Sequence, residues 1–376
     1  MKRGDIPVLH GIRGCLAVWV MLGHTLDACG AYIPVLSAPG VAVYAFMVMS
    51  GFLMALHFRL REDREPWANY RTWLMFYVRR LFRIAPLYYL VLIIAFTFHN
   101  AYMAHYYALQ ALFPLWFIHP PLAIPNFGFS SLLLHATFLF GFIPSQSDNN
   151  ILPDWSIGLE MQFYLLFPFM MLALRRIGAF WFALTSLAIV FLTQTHVPAF
   201  PQPSFLAFVL TTFVVGIFMS EAWLHDDRLK SAMLLVLAIF LASIRLPFMF
   251  QAIPLAMIFL INFPQLFAEL KLTTLGGIST RLLGGRIGLF IGDRSYSVYL
   301  IHMLILVPLV SFLATMPRFA HAAPTSRFMF TAPLMIFLCY AFSSITLVLI
   351  ENPFIEYGRK AVNHWRSHGG RSRPPP

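Results

Sequence analysis

Charge is scarce in this sequence. Asp, Glu, Lys and Arg make up 11% of its 376 residues, against about 25% in an ordinary soluble domain. The charge present is one-sided, with 26 Lys and Arg facing 15 Asp and Glu for a net +11. Cysteine is nearly missing: Cys15, Cys29 and Cys339 lie in or beside apolar runs. None of them makes a C-x-x-C pair, which excludes a disulfide framework and a cysteine zinc site, and no metal is expected. The first apolar run has no small-x-small cleavage signal, so it reads as a retained span rather than a secretory leader. Internal repeats and a separate polar domain are also missing.

What fills the chain is apolar. Hydrophobic residues account for 59% of it, including 39 Phe, 18 Met and 8 Trp. A soluble fold of this size has too much surface facing water to hide that load, whereas lipid accepts it. The basic residues sit in short segments between apolar runs instead of being interleaved with aromatics on a polar face. That distribution argues against nucleic acid and for a membrane protein with positive loops inside.

A membrane helix needs about 20 mostly apolar residues. By that ruler the sequence predicts an all-α integral membrane protein with about ten transmembrane helices. They lie near 8–28, 40–58, 80–98, 155–174, 178–195, 205–224, 232–248, 251–267, 295–316 and 328–350. Two short stretches, 105–118 and 128–144, broken by Pro114, Pro120, Pro121 and Pro125, are expected to form a re-entrant or interfacial pair near 105–144. With the N-terminus inside, 23 of the 26 Lys and Arg fall on the cytoplasmic side. Only Arg245, Arg318 and Arg327 lie elsewhere, so both termini are expected in the cytoplasm. The chain divides into a transmembrane domain, 1–355, and a basic cytoplasmic tail, 356–376, expected to lie next to the membrane with little fixed structure.

Ionisable groups at bilayer depth are candidates for function because they are costly there. Arg13 and His24 lie eleven residues apart, which returns a helix to within about 20° of the same face and about 16 Å further along. An interfacial histidine and a snorkelling arginine would account for the same pair. Glu160, in Trp155-Ser156-Ile157-Gly158-Leu159-Glu160, is a carboxylate well inside a span at a depth similar to His24. A carboxylate beside an imidazole can hold its tautomer and raise its basicity; a buried carboxylate paired for packing is the plainer account. Arg80 and Arg83, at i and i+3, share a helical face and suit phosphate oxygens, although positive-inside anchoring also favours arginines there.

Six segments in order resemble the acyltransferase 3 family of membrane acyltransferases, which includes bacterial polysaccharide O-acetyltransferases. Leu9-His10-Gly11-Ile12-Arg13-Gly14 followed by His24 resembles its first-helix motif, and Phe46-Met47-Val48-Met49-Ser50-Gly51-Phe52-Leu53 its Ser-Gly-Phe segment. Arg80-Leu81-Phe82-Arg83 with Pro86-Leu87-Tyr88 resembles its Arg-x-x-Arg helix start, and Trp155-Ser156 through Glu160 and Gln162-Phe163-Tyr164 its central signature. Arg294-Ser295-Tyr296-Ser297-Val298-Tyr299-Leu300-Ile301-His302 and Glu351-Asn352-Pro353-Phe354 resemble the two late elements. The chain departs from the family in carrying His10, Tyr44 and Met161 where acids are frequent, so these positions carry no functional claim.

The resemblance implies transfer of an acyl group, acetyl above all, from cytoplasmic acyl-CoA (acetyl-CoA) to a hydroxyl of a cell-envelope or exported saccharide or glycolipid. The implied location is the cell inner membrane, with membrane lipid as surroundings and no permanently bound cofactor. Arg80 and Arg83 are then expected to hold the donor's phosphates, with Arg13 further along the same path. His24 is the expected general base, with Glu160 orienting it; a covalent acyl-histidine stays open as an alternative. Ser50 either binds substrate or allows close helix packing, and Tyr299 and His302, one turn apart, either line the cavity or make interhelical hydrogen bonds. Glu351 is expected to cap or pair at the inner end of the last span. A transporter or flippase of a glycan or acylated lipid is the competing class, because buried Arg, His and Glu also serve proton-coupled transport.

Overall fold

Proline opens three of the long helices at their first turn, where its missing N–H costs nothing: α1 (Pro7–Cys29), α2 (Pro39–Arg61) and α12 (Pro324–Thr346). In the computed structural model, which describes residues 6–113, 128–245 and 281–369, every regular element is helical. Between the first two and α12 come α3 (Tyr70–Thr97), α4 (His99–Leu112), α5 (Phe129–Ala136), α6 (Trp155–His196), α7 (Leu206–Leu224) and α8 (Arg228–Arg245). They are followed by α9 (Arg286–Asp293), α10 (Ser295–Ala314) and α11 (Pro317–Ala320). After α12 a π turn, Leu347–Glu351, leads into α13 (Asn352–Gly369).

Among the described residues, six helices are long and apolar enough to cross a membrane: α2, α3, α6, α7, α10 and the run Pro324–Arg366 that joins α12 to α13. These match the expected spans at 40–58, 80–98, 205–224, 295–316 and 328–350. The two expected at 155–174 and 178–195 share α6, which is interrupted at Gly178, where φ 80° and ψ 164° leave the helical region. A left-handed φ of that kind is open to glycine and strained for other residues. The expected spans at 8–28 and 232–248 form α1 and α8, outside those six. The expected span at 251–267 lies outside the described residues. Of the region expected to hold a re-entrant pair, 114–127 lies outside the described residues; the rest contains the end of α4, then α5 with 3₁₀ turns at Leu139–Phe142 and Pro144–Gln146. Eight residues of α5 reach only about 12 Å, less than half the hydrocarbon layer.

The helices sort by depth. α2 and α7 are the most buried of the six and α6 and α12 among the least. Ile93, Phe191, Phe312, Phe337 and Leu349 are large, apolar and exposed, as expected of a surface that meets lipid instead of water. The central pair is close enough to exclude side chains: a Cβ on Gly51 would sit 2.1 Å from the Phe213 carbonyl oxygen, and one on Gly216 1.9 Å from that of Val48. In the Ser-Gly-Phe segment, therefore, Gly51 provides the close packing and leaves the neighbouring Ser50 free to face elsewhere.

The tail differs from expectation. Residues 356–369 are helical, because α13 packs an apolar stripe on α3, with Val362 buried and Phe354 against Phe82 at 6.5 Å between ring centroids. Arg366 also reaches back to pair with Glu65.

A candidate active site

A cavity of about 390 Å³ lies among α1, α2, α3, α6 and α10. Its walls include Arg13 from α1, Ser50 from α2, Arg80 and Arg83 from α3, Glu160 from α6 and Tyr299 from α10. Six of the eight residues singled out from sequence thus meet in one space, although they are spread over almost 300 positions.

The cavity is electrostatically lopsided. Among the described residues, none of Arg13, Arg80 and Arg83 has a carboxylate within salt-bridge distance. The guanidinium carbon of Arg80 lies 5.5 Å from the Tyr164 ring centroid and 5.7 Å from that of Phe76, and its Nε is buried without a hydrogen-bond partner. Aromatic faces steady such a cation but leave its donors unfilled, and unfilled buried donors favour an incoming acceptor. Glu160, the carboxylate of the cavity, takes hydrogen bonds from neutral donors, Ser50 Oγ at 3.3 Å and the Tyr164 hydroxyl one turn along α6. A space with three arginines outside any salt bridge among the described residues, facing one carboxylate held by neutral donors, keeps an excess of positive charge and suits a ligand of several negative charges.

Tyr299 marks the other end. Its hydroxyl donates to the Pro153 carbonyl at 3.0 Å, so the Ser156 hydroxyl, 2.7 Å away, is the donor to Tyr299. Beyond it sits an imidazole pair. His302, fully buried, donates from Nδ1 to the Tyr299 carbonyl at 2.6 Å, and its ring lies 6.0 Å from the Tyr299 ring. His24 stacks on His302 with centroids 5.3 Å apart and planes 24° from parallel. With Nδ1 carrying the proton, the buried and unpartnered Nε2 of His302 is a free acceptor. The carboxylate of Asp27, one turn on, lies 3.9 Å from His24 Nδ1.

His24 and His302 are therefore neighbours of the cavity and do not line it. The expected contact of Glu160 with His24 is replaced by the bonds of Glu160 to Ser50 and Tyr164. The helices turn these two side chains to different neighbours: α1 presents His24 to α10, whereas α6 presents Glu160 to α2. Sequence reasoning also passed over lining residues His57 and Tyr164. The signal was present for both, since His57 follows Ser50 by two turns and Tyr164 follows Glu160 by one. His10, given no role, also lines the cavity and lies 3.5 Å from the Asp293 carboxylate. Glu351, expected to pair near the inner end of the last span, accepts from Ser297, which in turn receives a 3.2 Å hydrogen bond from Thr346.

The acyltransferase domain model of the acyltransferase 3 family matches residues 6–350, nearly the whole chain. This chain belongs to the acyltransferase 3 family. Membership together with the apolar helices makes it a membrane protein and supports acyl transfer as its general chemistry. Two curated relatives are more distant. One, named regulator of hypoxia-inducible factor 1, from Caenorhabditis elegans, is 28% identical over 211 residues, covering 50% of this chain and 38% of the relative. The other, nose resistant to fluoxetine protein 6 from the same organism, is 29% identical over 125 residues, covering 26% of this chain and 15% of the relative. The chain thus spans well under half of either relative. No solved structure matches significantly.

Proposed function

We propose that this protein moves an acyl group, acetyl in the simplest case, from acyl-CoA to a hydroxyl of a saccharide or glycolipid across the membrane. The observation that carries the proposal is the arginine cavity. Arg13, Arg80 and Arg83 converge on one space with no salt bridge to a carboxylate among the described residues, and a coenzyme A thioester supplies the phosphates such a cluster accepts. About ten spans with both termini cytoplasmic, in a cell inner membrane, would put Arg80 and Arg83 on the donor's side.

In this reading the thioester end points from the arginines towards Tyr299, with the imidazole pair beyond. His24 takes the proton of the acceptor hydroxyl, whose oxygen attacks the thioester carbonyl. The carbon–sulfur bond breaks, and the proton is returned to the leaving thiolate to give free coenzyme A. Asp27 beside Nδ1 favours the tautomer that leaves Nε2 as the base, and Glu160 acts with Ser50 and Tyr164 at the cavity wall. The same imidazole can carry the acyl group covalently before passing it on.

The test is transfer of labelled acetyl from acetyl-CoA to saccharide acceptors by the purified protein in proteoliposomes, read by mass spectrometry as one added acetyl group. Labelled saccharide that appears across the membrane without any acyl gain would replace this reading with transport.

A further inference from the structure

A second cavity, of about 470 Å³, opens on the far side of α3, between the start of that helix and the end of α13. The two cavities share no lining residue, and at 100° per residue Tyr70, Arg71, Leu74 and Met75 face about 180° away from Arg80 and Arg83, so this one is separate from the arginine cavity. The 28 residues of α3 are about 42 Å long, more than the roughly 30 Å hydrocarbon layer. With the apolar run 80–98 in that layer, the first turns of α3 stand at headgroup depth, and the groove stands with them.

Its chemistry has two halves. Arg64, Arg71 and Arg366 bring positive charge to the wall. Among the described lining residues one carboxylate, Glu65, faces these three arginines, and it is engaged by Arg79 at 2.6 Å and by Arg366, so that lining is net positive. The other half is apolar and faces outward: Tyr70, Leu74 and Leu81 form one exposed strip down α3, at 67%, 47% and 42% exposure, and Trp365 closes the groove with 46% of its surface open. A soluble anion would use only the arginines. A phosphate carrying hydrocarbon chains would use both halves, and aromatic side chains such as Tyr70 and Trp365 are those favoured at the membrane–water boundary.

We propose that this groove holds the headgroup of an anionic phospholipid, with its phosphate on Arg64, Arg71 and Arg366 and its chains along Tyr70, Leu74 and Leu81. The site joins α13 to α3 through a lipid, in addition to their direct packing, and it is independent of the acyl-transfer reading.

The probe is phosphatidylglycerol. The full chain, taken from phosphatidylcholine bilayers with and without phosphatidylglycerol, is examined for retained lipid by native mass spectrometry. The expected result is one retained phosphatidylglycerol and no matching phosphatidylcholine. Retention should weaken by about tenfold or more when Arg64→Gln and Arg71→Gln are combined, since each basic residue near an anionic surface contributes on the order of a factor of five. Leu74→Asp, which leaves every arginine in place, is expected to weaken it too. Equal retention of both lipids, full retention by the double variant, or displacement of the lipid by inorganic phosphate would each overturn the proposal.

Discussion

The two ends of the candidate site are built on opposite principles. On one side of Tyr299, three arginines line a cavity with no carboxylate in salt-bridge contact among the described residues and with a buried donor left open. On the other side, two imidazoles stack, with the Asp27 carboxylate at their edge. The first arrangement is suited to holding fixed negative charge, the second to accepting and releasing a proton. On the proposed reading, that contrast lets one chain bind a polyanionic donor without the same charges disabling its base: a cation touching His24 would disfavour its protonated form.

The contrast is most exposed to His24→Ala. Loss of a general base costs typically 10²–10⁴-fold in rate, so turnover is expected to fall by about that factor while coenzyme A affinity, measured by calorimetry on the reconstituted protein, stays the same. Parallel loss of both quantities would merge the two regions into one.

Next in size is the opposite experiment. Arg80→Ala and Arg83→Ala each remove a charge-assisted contact worth about 1.5–3 kcal/mol, so coenzyme A should bind roughly ten- to a hundredfold more weakly. Turnover at saturating donor should change far less. Unchanged affinity would return these arginines to plain topological anchors.

Tyr299→Phe sharpens the boundary between the regions. It removes the hydrogen bond to Pro153 and the one from Ser156, about 1 kcal/mol each. Turnover is expected to drop about tenfold with donor affinity intact, and an effect on affinity alone would move Tyr299 wholly into the donor cavity.

The smallest effect is expected well away from both. Beyond the end of α2, Arg175 donates to both oxygens of Glu62 and holds its carboxyl below the usual carboxylate range. Because the folded value is depressed, this contribution is fully present above the ordinary glutamate range near about 4.3 and is lost as pH falls through the lower folded value. The pair is partly exposed and so worth about 1 kcal/mol or less. Glu62→Gln should therefore shift thermal stability slightly at neutral pH and not at all in acid, with acyl transfer untouched.

The apolar helical runs were readable from the sequence, and rotation about each helix was not. Hydropathy and the six ordered segments identified a helical membrane acyltransferase, and Arg13, Ser50, Arg80, Arg83, Glu160 and Tyr299 do share a cavity. Which face of one helix meets which face of another depends on contacts between residues far apart in the chain, such as Gly51 on Phe213 and Gly216 on Val48. That dependence is why Glu160 was matched to His24 by depth yet bonds to Ser50 and Tyr164, and why the stacking of His24 on His302 was out of reach. The helix at 356–369 escaped notice for a related reason: a basic composition hid an apolar stripe whose partner, Phe82, lies on α3.

The most direct test of a donor end and a base end on opposite sides of Tyr299 is sidedness. Proteoliposomes of one fixed orientation are given labelled acetyl-CoA on one face only and a saccharide acceptor on the other. The account predicts acylated saccharide when the donor meets the face bearing Arg80 and Arg83, and none when donor and acceptor are exchanged. Equal product from either arrangement would contradict it.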